Sequence, residues 1–328
     1  MTAALRRIGA QNLSLLGALI AVLALFGYLN PDYLSWSNVR VIGNTVTLAG
    51  LLAVAQTAVI ICGGIDISVG SQVGLAAIVS AMTFAETGDG LANGSAVAAI
   101  AVAIVVGAAC GVINGVIIVY GRVNAIIATL AMLAAYKGVA QLLSGGQAVG
   151  YLQGDDLFIF IVRGSVVGIP TMVWIMLAIA LAVHVLLKMT DIGRNIYALG
   201  GNATAARLAG ININKYLIAV YAMVGMVAAI TGIILAARSG SAHPTAGSEG
   251  LELKAITAAF LGGCAIAGGR GGIGGTLLAV LLLGALENGL TVEGVNPFWQ
   301  NVAQGALLVA AVVIQQRRTG DRAVGLPS

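Results

Sequence analysis

Charge is what this sequence most lacks. Only 9% of its 328 residues are Asp, Glu, Lys or Arg, while 59% are hydrophobic and the mean hydropathy is +1.01. Water-soluble domains carry about 25% charged residues, so a soluble globular fold is excluded. The chain reads as an all-α polytopic membrane protein forming a single domain over residues 1–328. Its net charge of +4 and pI of 9.1 do not point to nucleic acid, because the basic residues are scattered over loops and make no patch. Their pattern is that of residues that set topology.

Cysteine and histidine are also scarce. Cys62, Cys110 and Cys264 lie far apart, each inside an apolar run, without the spacing of a disulfide framework or metal site. His184 and His243 are too isolated to form a metal cluster, and His184, near one end of a span, reads as a neutral packed residue. No metal and no cofactor is expected on this chain. Catalytic patterns are missing as well: there is no GxSxG elbow, no HExxH pair, no carboxylates placed for acid–base work and no GxxxxGK[ST] phosphate loop. The chain is therefore not expected to be an enzyme or to hydrolyse ATP. Ser68 or Ser80 with His184 has no spacing that selects it for proteolysis. The run GGRGGIGG at 268–275 joins two apolar spans with no strand before it, so it reads as a tight turn between close-packed helices.

What is present is a series of long apolar runs. Crossing a hydrocarbon core of ~30 Å takes about 20 residues of helix. Ten segments meet this loosely: 13–29, 41–62, 68–84, 95–120, 123–143, 165–188, 215–237, 253–267, 273–290 and 298–315. The third and eighth are short enough to be broken or re-entrant. Arg6 and Arg7 precede the first run as in a signal peptide, but no small-residue cleavage site is evident before Asn30, so an uncleaved first span is expected. With ten crossings and a cytoplasmic N-terminus, Arg6, Arg7, Arg122, Lys188, Arg194, Arg207, Lys215, Arg270, Arg317, Arg318 and Arg322 fall inside. Only Arg40, Arg163, Arg238 and Lys254 fall outside, and Lys137 lies within a span. This bias places both termini, including a tail at about 316–328, in the cytoplasm. Glycine, at 46 residues, is about twice its usual ~7%, as expected where helices approach closely in lipid. Gly107, Gly111 and Gly115 make a GxxxGxxxG face in the fourth span.

Polar residues inside spans are costly unless paired or facing water. The second span carries Asn44, Thr45, Thr47, Gln56 and Thr57, the fourth Asn114, and the fifth Asn124, Thr129 and Gln141. Such neutral donors and acceptors suit the passage of a hydroxyl-rich neutral solute, and equally suit hydrogen bonds between helices. Between the second and third spans, GGIDISVGS (63–71) interrupts the apolar run. Its glycines end one helix, and Asp66 is placed to accept from the free N–H groups opening the next. Asn44, Gln56, Asp66, Ser68, Asn114, Asn124 and Thr129 are the candidate translocation-path residues.

The one long polar interruption is DIGRNIYALGGNATAARLAG (191–210), within a cytoplasmic loop at about 189–214. Asn202 is a fair N-cap, Ala203–Ala209 a helix-forming run and Gly210 a terminator. Seven residues do not hold a helix alone in water, so the segment needs a docking surface. Gly200, Gly201, Asn202, Ala205, Ala206, Arg207, Leu208, Gly210 and Ile211 are the candidate coupling residues, with Leu208 and Ile211 offering apolar contact and Arg207 a charge.

At GGIDISVGS (63–71), GVINGVIIVYGRVNAIIATLAM (111–132), YALGGNATAARLAGI (197–211), AARSGSAHPTAG (236–247) and LGGCAIAGGRGGIGGTLLAVLLLGALENGL (261–290), the chain resembles the permease subunits of bacterial ABC importers for monosaccharides. This is the ribose/xylose-type family related to branched-chain amino acid permeases. The resemblance spans about Asn38 to Ile314. It implies a cytoplasmic-membrane protein with a second permease subunit, an ABC ATPase that holds ATP and Mg, and a periplasmic or surface-anchored sugar-binding protein docking on the acidic outer loops (86–95, 144–164, 238–253). It also implies that 197–211 is the coupling helix seated in the ATPase. Two departures stand out: Ala203-Thr204 where charged residues usually follow GGN, and Asn124-Ala125 where proline often follows the arginine-valine pair. Two other readings stay open, a permease of the same family for amino acids or nucleosides and an ion-coupled secondary carrier. The carrier would draw on Asp66 or Glu287.

Overall fold

In the computed structural model, which describes residues 3–87, 95–150 and 155–319, thirteen α-helices carry nearly all the regular structure. They are α1 (Ala3–Leu29), α2 (Trp36–Ile61), α3 (Val69–Glu86), α4 (Ala96–Tyr120), α5 (Ala125–Ser144), α6 (Asp156–Arg163), α7 (Thr171–Met189), α8 (Asp191–Gly201), α9 (Ala203–Leu208), α10 (Ile213–Ser239), α11 (Leu251–Leu261), α12 (Ile273–Val292) and α13 (Pro297–Thr319). Four two-residue strands make two small ladders: β1 (Val149–Gly150) pairs with β4 (Ser241–Ala242), and β2 (Ser165–Val166) with β3 (Ile169–Pro170). Parts of the outer loops at 86–95 and 144–164, with Asp89, and the tail beyond 319 with Arg322 lie outside the described residues.

Polar side chains start the helices where the chain changes direction. Ser35, Ser95, Asn124, Asp155, Thr190, Asn202 and Asn212 each accept a hydrogen bond from a backbone N–H of the turn they open, satisfying donors that a helix leaves free. Gly145 and Gly240 end α5 and α10 at φ of 61° and 71°, a left-handed turn that a side chain resists.

Helices apolar all round belong inside a bundle. Here α2, α3 and α10 are buried along most of their length, while α1, α5 and α7 show most of theirs outward. The glycine face of α4 meets α10 backbone to backbone. A Cβ on Gly111 would overlap the carbonyl of Tyr221, and one on Gly107 would overlap that of Gly225. Close approach of this kind takes the place of a hydrophobic drive that lipid does not supply.

The ten spans expected from the sequence are not ten uniform helices. Among the described residues, eight are long and apolar enough to cross a membrane: α1, α2, α3, α4, α5, α7, α10 and α12. The eighth expected span, 253–267, is the 11-residue α11, about 16 Å long and half the core. The chain reaches α11 through an irregular stretch in which the carbonyls of Pro244 and Gly247 press on Gly74 and Gly70 of α3. The tenth expected span is the 23-residue α13. One end of the bundle gathers the end of α2, the turn at 262–272, α8 and α9, while the β1–β4 ladder and the segment before α11 lie toward the other.

Candidate functional site: a docking helix joined to two helix breaks

Asn202 has two roles at the α8–α9 junction. Its N–H donates to the carbonyl of Ala198 at 3.0 Å, closing α8, and its Oδ1 accepts from Ala205 N at 2.9 Å, opening α9. The helix ends at Leu208, one residue before the expected Ala209, in a Schellman turn. Gly210, at φ 83°, donates to the carbonyl of Arg207, and Ile211 N donates to that of Ala206, both at 3.0 Å. Ala206 is the buried residue of α9. Asn202, Ala205, Arg207 and Gly210 are exposed, Ile211 is half-buried, and Leu208 is 85% exposed. Leu208 is therefore an uncovered apolar side chain on a helix too short to stand alone.

The inner side of α8 is tied down. Gly200 lies against the carbonyl of Ile61 at the end of α2, and a Cβ there would also come within 2.7 Å of Gly269 N. Gly269 N donates to the same Ile61 carbonyl at 2.8 Å, and Gly268 packs on Gly63 and Gly200. Tyr197 Oη donates to the carbonyl of Gly271 at 2.9 Å, and Lys188 Nζ sits 4.6 Å from the centre of the Tyr197 ring. The helix α8, which leads into α9, is therefore fastened to both breaks in the bundle, 62–68 after α2 and 262–272 after α11.

The first break is organised around Asp66. Its Oδ1 accepts from Ser68 N at 2.9 Å and Ser68 Oγ at 2.6 Å, and its Oδ2 from Gln72 Nε2 at 3.0 Å and Asn114 Nδ2 at 3.2 Å. Gln56 brackets the Asp66 backbone, donating to its carbonyl and accepting from its N–H. Thr129 Oγ1 accepts from Ile67 N at 3.1 Å, and Tyr136 Oη donates to Asn114 Oδ1 at 3.0 Å. The residue at the N-cap position of α3 is Ser68, not Asp66, and its side chain accepts no backbone N–H of the helix; Asp66 binds the N–H of Ser68 and gathers side chains from α3 and α4. Buried polar groups need partners, and this carboxylate has four neutral donors.

Of the seven candidate path residues, Gln56, Asp66, Ser68, Asn114 and Thr129 thus meet in one fully buried cluster. Asn124 is instead the exposed N-cap of α5, accepting from Ile126 N at 2.9 Å. Asn44 is half-buried, its Oδ1 without a partner and its carbonyl accepting from Arg238. Gln72 and Tyr136 belong to the cluster and were not singled out in the sequence. Gln72 lies four residues after Ser68, on the same helix face, and this spacing could have found it. Tyr136 has no local signal, because only the packing of α5 on α4 brings it to Asn114. Cys62, Cys110 and Cys264 are buried and form no disulfide. Among the described residues no group of three potential metal ligands occurs, and Glu287 is paired with Lys254 at 2.7 Å.

A many-helix membrane bundle with broken spans and a short exposed helix is the architecture of a membrane permease. The family profile described as branched-chain amino acid transport system / permease component matches residues 39–312, and the chain belongs to that family. It is 41% identical over 303 residues, 92% of each chain, to the ribose import permease protein RbsC of Escherichia coli. It is 37% identical over 305 residues to RbsC of Bacillus subtilis, covering 93% of this chain and 92% of that one. With the L-arabinose ABC transporter permease protein AraH of Azospirillum brasilense the identity is 34% over 309 residues, covering 93% and 88%. No solved structure matches the chain. The chain is a multi-pass protein of the bacterial cytoplasmic membrane.

Proposed function

We propose that the chain is the membrane-spanning subunit of an ATP-driven importer, passing a monosaccharide delivered by a binding protein and driven by a separate ABC ATPase seated on α9. The observation that carries this is the junction just described: an exposed Leu208 on one side and Gly200 locked to Ile61 and Gly269 on the other. A push on α9 would pass through α8 to both helix breaks without a flexible joint between. The 41%-identical relative is a ribose import permease, which supports a sugar over an amino acid or nucleoside. ATP and Mg sit on the partner, a second permease copy or paralogue completes the path, and the sugar-binding protein meets the opposite end. In this scheme the Asp66 cluster holds the first break in register as the path opens and closes. Most selectivity resides in the binding protein, since a solute shifts an equilibrium only through its differential affinity for two states.

The test is co-purification of the ATPase with the full-length permease. Gly201 is exposed and a Cβ on it meets nothing within 4 Å, so Gly201→Trp adds bulk outside the fold. Gly201→Trp, Arg207→Glu and Leu208→Asp should each release the ATPase while the permease keeps its melting temperature. Retention of the ATPase in all three overturns the docking assignment.

A further inference from the structure

A cavity of about 210 Å³ runs between α2, α11, α12 and α13, and none of its lining residues belongs to the Asp66 cluster, α8 or α9. Its walls change character with depth. At the end of the bundle opposite α8 stand Arg238 in the last turn of α10, Lys254 in the first turn of α11 and Gln300 in the first turn of α13, with Glu287 of α12. Further in, the walls are Leu48 of α2, Ala258 of α11, Val280 and Leu283 of α12 and Leu307 of α13. From Leu290 to Val280 the lining follows α12 for about 15 Å of helix, half of a hydrocarbon core of ~30 Å. The space has the depth of one leaflet.

Its mouth is unequally charged, with two cations against one carboxylate on the walls. Lys254 Nζ and Glu287 Oε1 are paired at 2.7 Å and satisfy one another. Arg238 is left over. Among the described residues it forms no ion pair, and its hydrogen bond is a long one, 3.4 Å to the carbonyl of Asn44. A guanidinium has five donors to offer, so the mouth favours an anion while the floor favours hydrocarbon. A small hydroxylated solute would leave the leucines and valines of the floor uncovered. The opening also lies beside lipid: Asn301 on its wall is exposed, and the neighbouring Val302 and Val309 of α13 are 60% and 63% exposed.

We propose that this cavity binds an anionic phospholipid, its phosphate against Arg238 and one acyl chain running inward between α12 and α13. The lipid comes from the leaflet at that end, the outer one in the orientation that the basic loops set. Basic pockets between membrane helices take anionic headgroups. An acyl chain gains no hydrophobic free energy on leaving the bilayer. The chain instead gains dispersion contacts with walls that otherwise face a void, and the headgroup supplies the selectivity. The bound lipid fills the gap between α13 and the body of the bundle. This site does not depend on which solute the permease passes.

The test is native mass spectrometry of the full-length chain, delipidated in detergent and titrated with dioleoyl phosphatidylglycerol or dioleoyl phosphatidylethanolamine. The first phosphatidylglycerol should bind about tenfold more tightly than the first phosphatidylethanolamine, the worth of roughly one hydrogen bond to a charged group. Arg238→Gln, a change at an exposed side chain, should remove that preference and leave the melting temperature of the lipid-free protein unchanged. Ala303→Trp puts bulk into the cavity from a half-buried position on α13 and should weaken the first binding of both lipids about tenfold, the same hydrogen-bond-sized loss. Inorganic phosphate should not displace the bound lipid. Displacement by phosphate would mean that the headgroup alone is held and overturns the buried chain. Equal first affinities for the two lipids, or binding unaltered in both variants, overturns the site.

Discussion

Gly200 and the carbonyl oxygen of Ile61 are in such close contact that no side chain fits between them. That contact joins α8, which leads through Asn202 into the helix proposed to meet the ATPase, to the end of the most buried helix of the bundle. Gly200→Ala should therefore be overpacked and lower stability by about 1–3 kcal/mol. Gly201→Ala, whose Cβ meets nothing within 4 Å, should be neutral or slightly stabilising within a helix. Thermal unfolding of the two purified variants checks the difference, and equal melting temperatures would contradict this packing.

Asn114 holds Asp66 and Ser68 through Nδ2 and receives Tyr136 through Oδ1. Asn114→Ala removes one hydrogen-bond partner from each of Asp66 Oδ2, Ser68 Oγ and Tyr136 Oη in the buried cluster, which should cost about 1–3 kcal/mol. Tyr136→Phe, which removes one hydroxyl bonded to both Asn114 and the carbonyl of Cys110, should cost less. Melting temperatures in the same detergent decide the order.

The α4–α10 seam offers a third test. Gly111→Val places bulk on the backbone of Tyr221 and Ala222, whereas Gly138 has no neighbour within 4 Å for an added Cβ. Gly111→Val should abolish accumulation of folded protein or lower its melting temperature sharply, and Gly138→Val should leave both near wild type. Fluorescence-detected size-exclusion chromatography of the two variants reads this directly.

Cys62, Cys110 and Cys264 are buried and form no disulfide. Maleimide labelling of the folded protein should be slow, and denaturant should expose three reactive thiols together. Rapid labelling of Cys264 before unfolding would show that the 262–272 turn opens in the resting protein.

Much of the architecture was legible in composition and spacing. Scarce charge and repeated apolar runs demand a membrane bundle, because helices that satisfy their own backbone are what cross lipid. The stretch 191–210 was legible as a separate polar element, since Asn202 and Gly210 are local capping signals that act within a few residues. The break at 63–71 was visible for the same reason. The splitting of the eighth span was less so, because 253–267 is apolar enough to read as continuous and only the packing of Gly262 on Gly275 and Thr276 of α12 marks where helix gives way to loop.

The sequence by itself determined the solvent in which this protein folds, the places where its helices start and stop, and the polar foot that leaves the bilayer. Each depends on residues close together in the chain. Tertiary structure alone decided that Gln72 and Tyr136 complete the Asp66 cluster and that Gly200 rests on Ile61. Those pairings depend on how helices distant in sequence pack, and no local spacing encodes the distance between them.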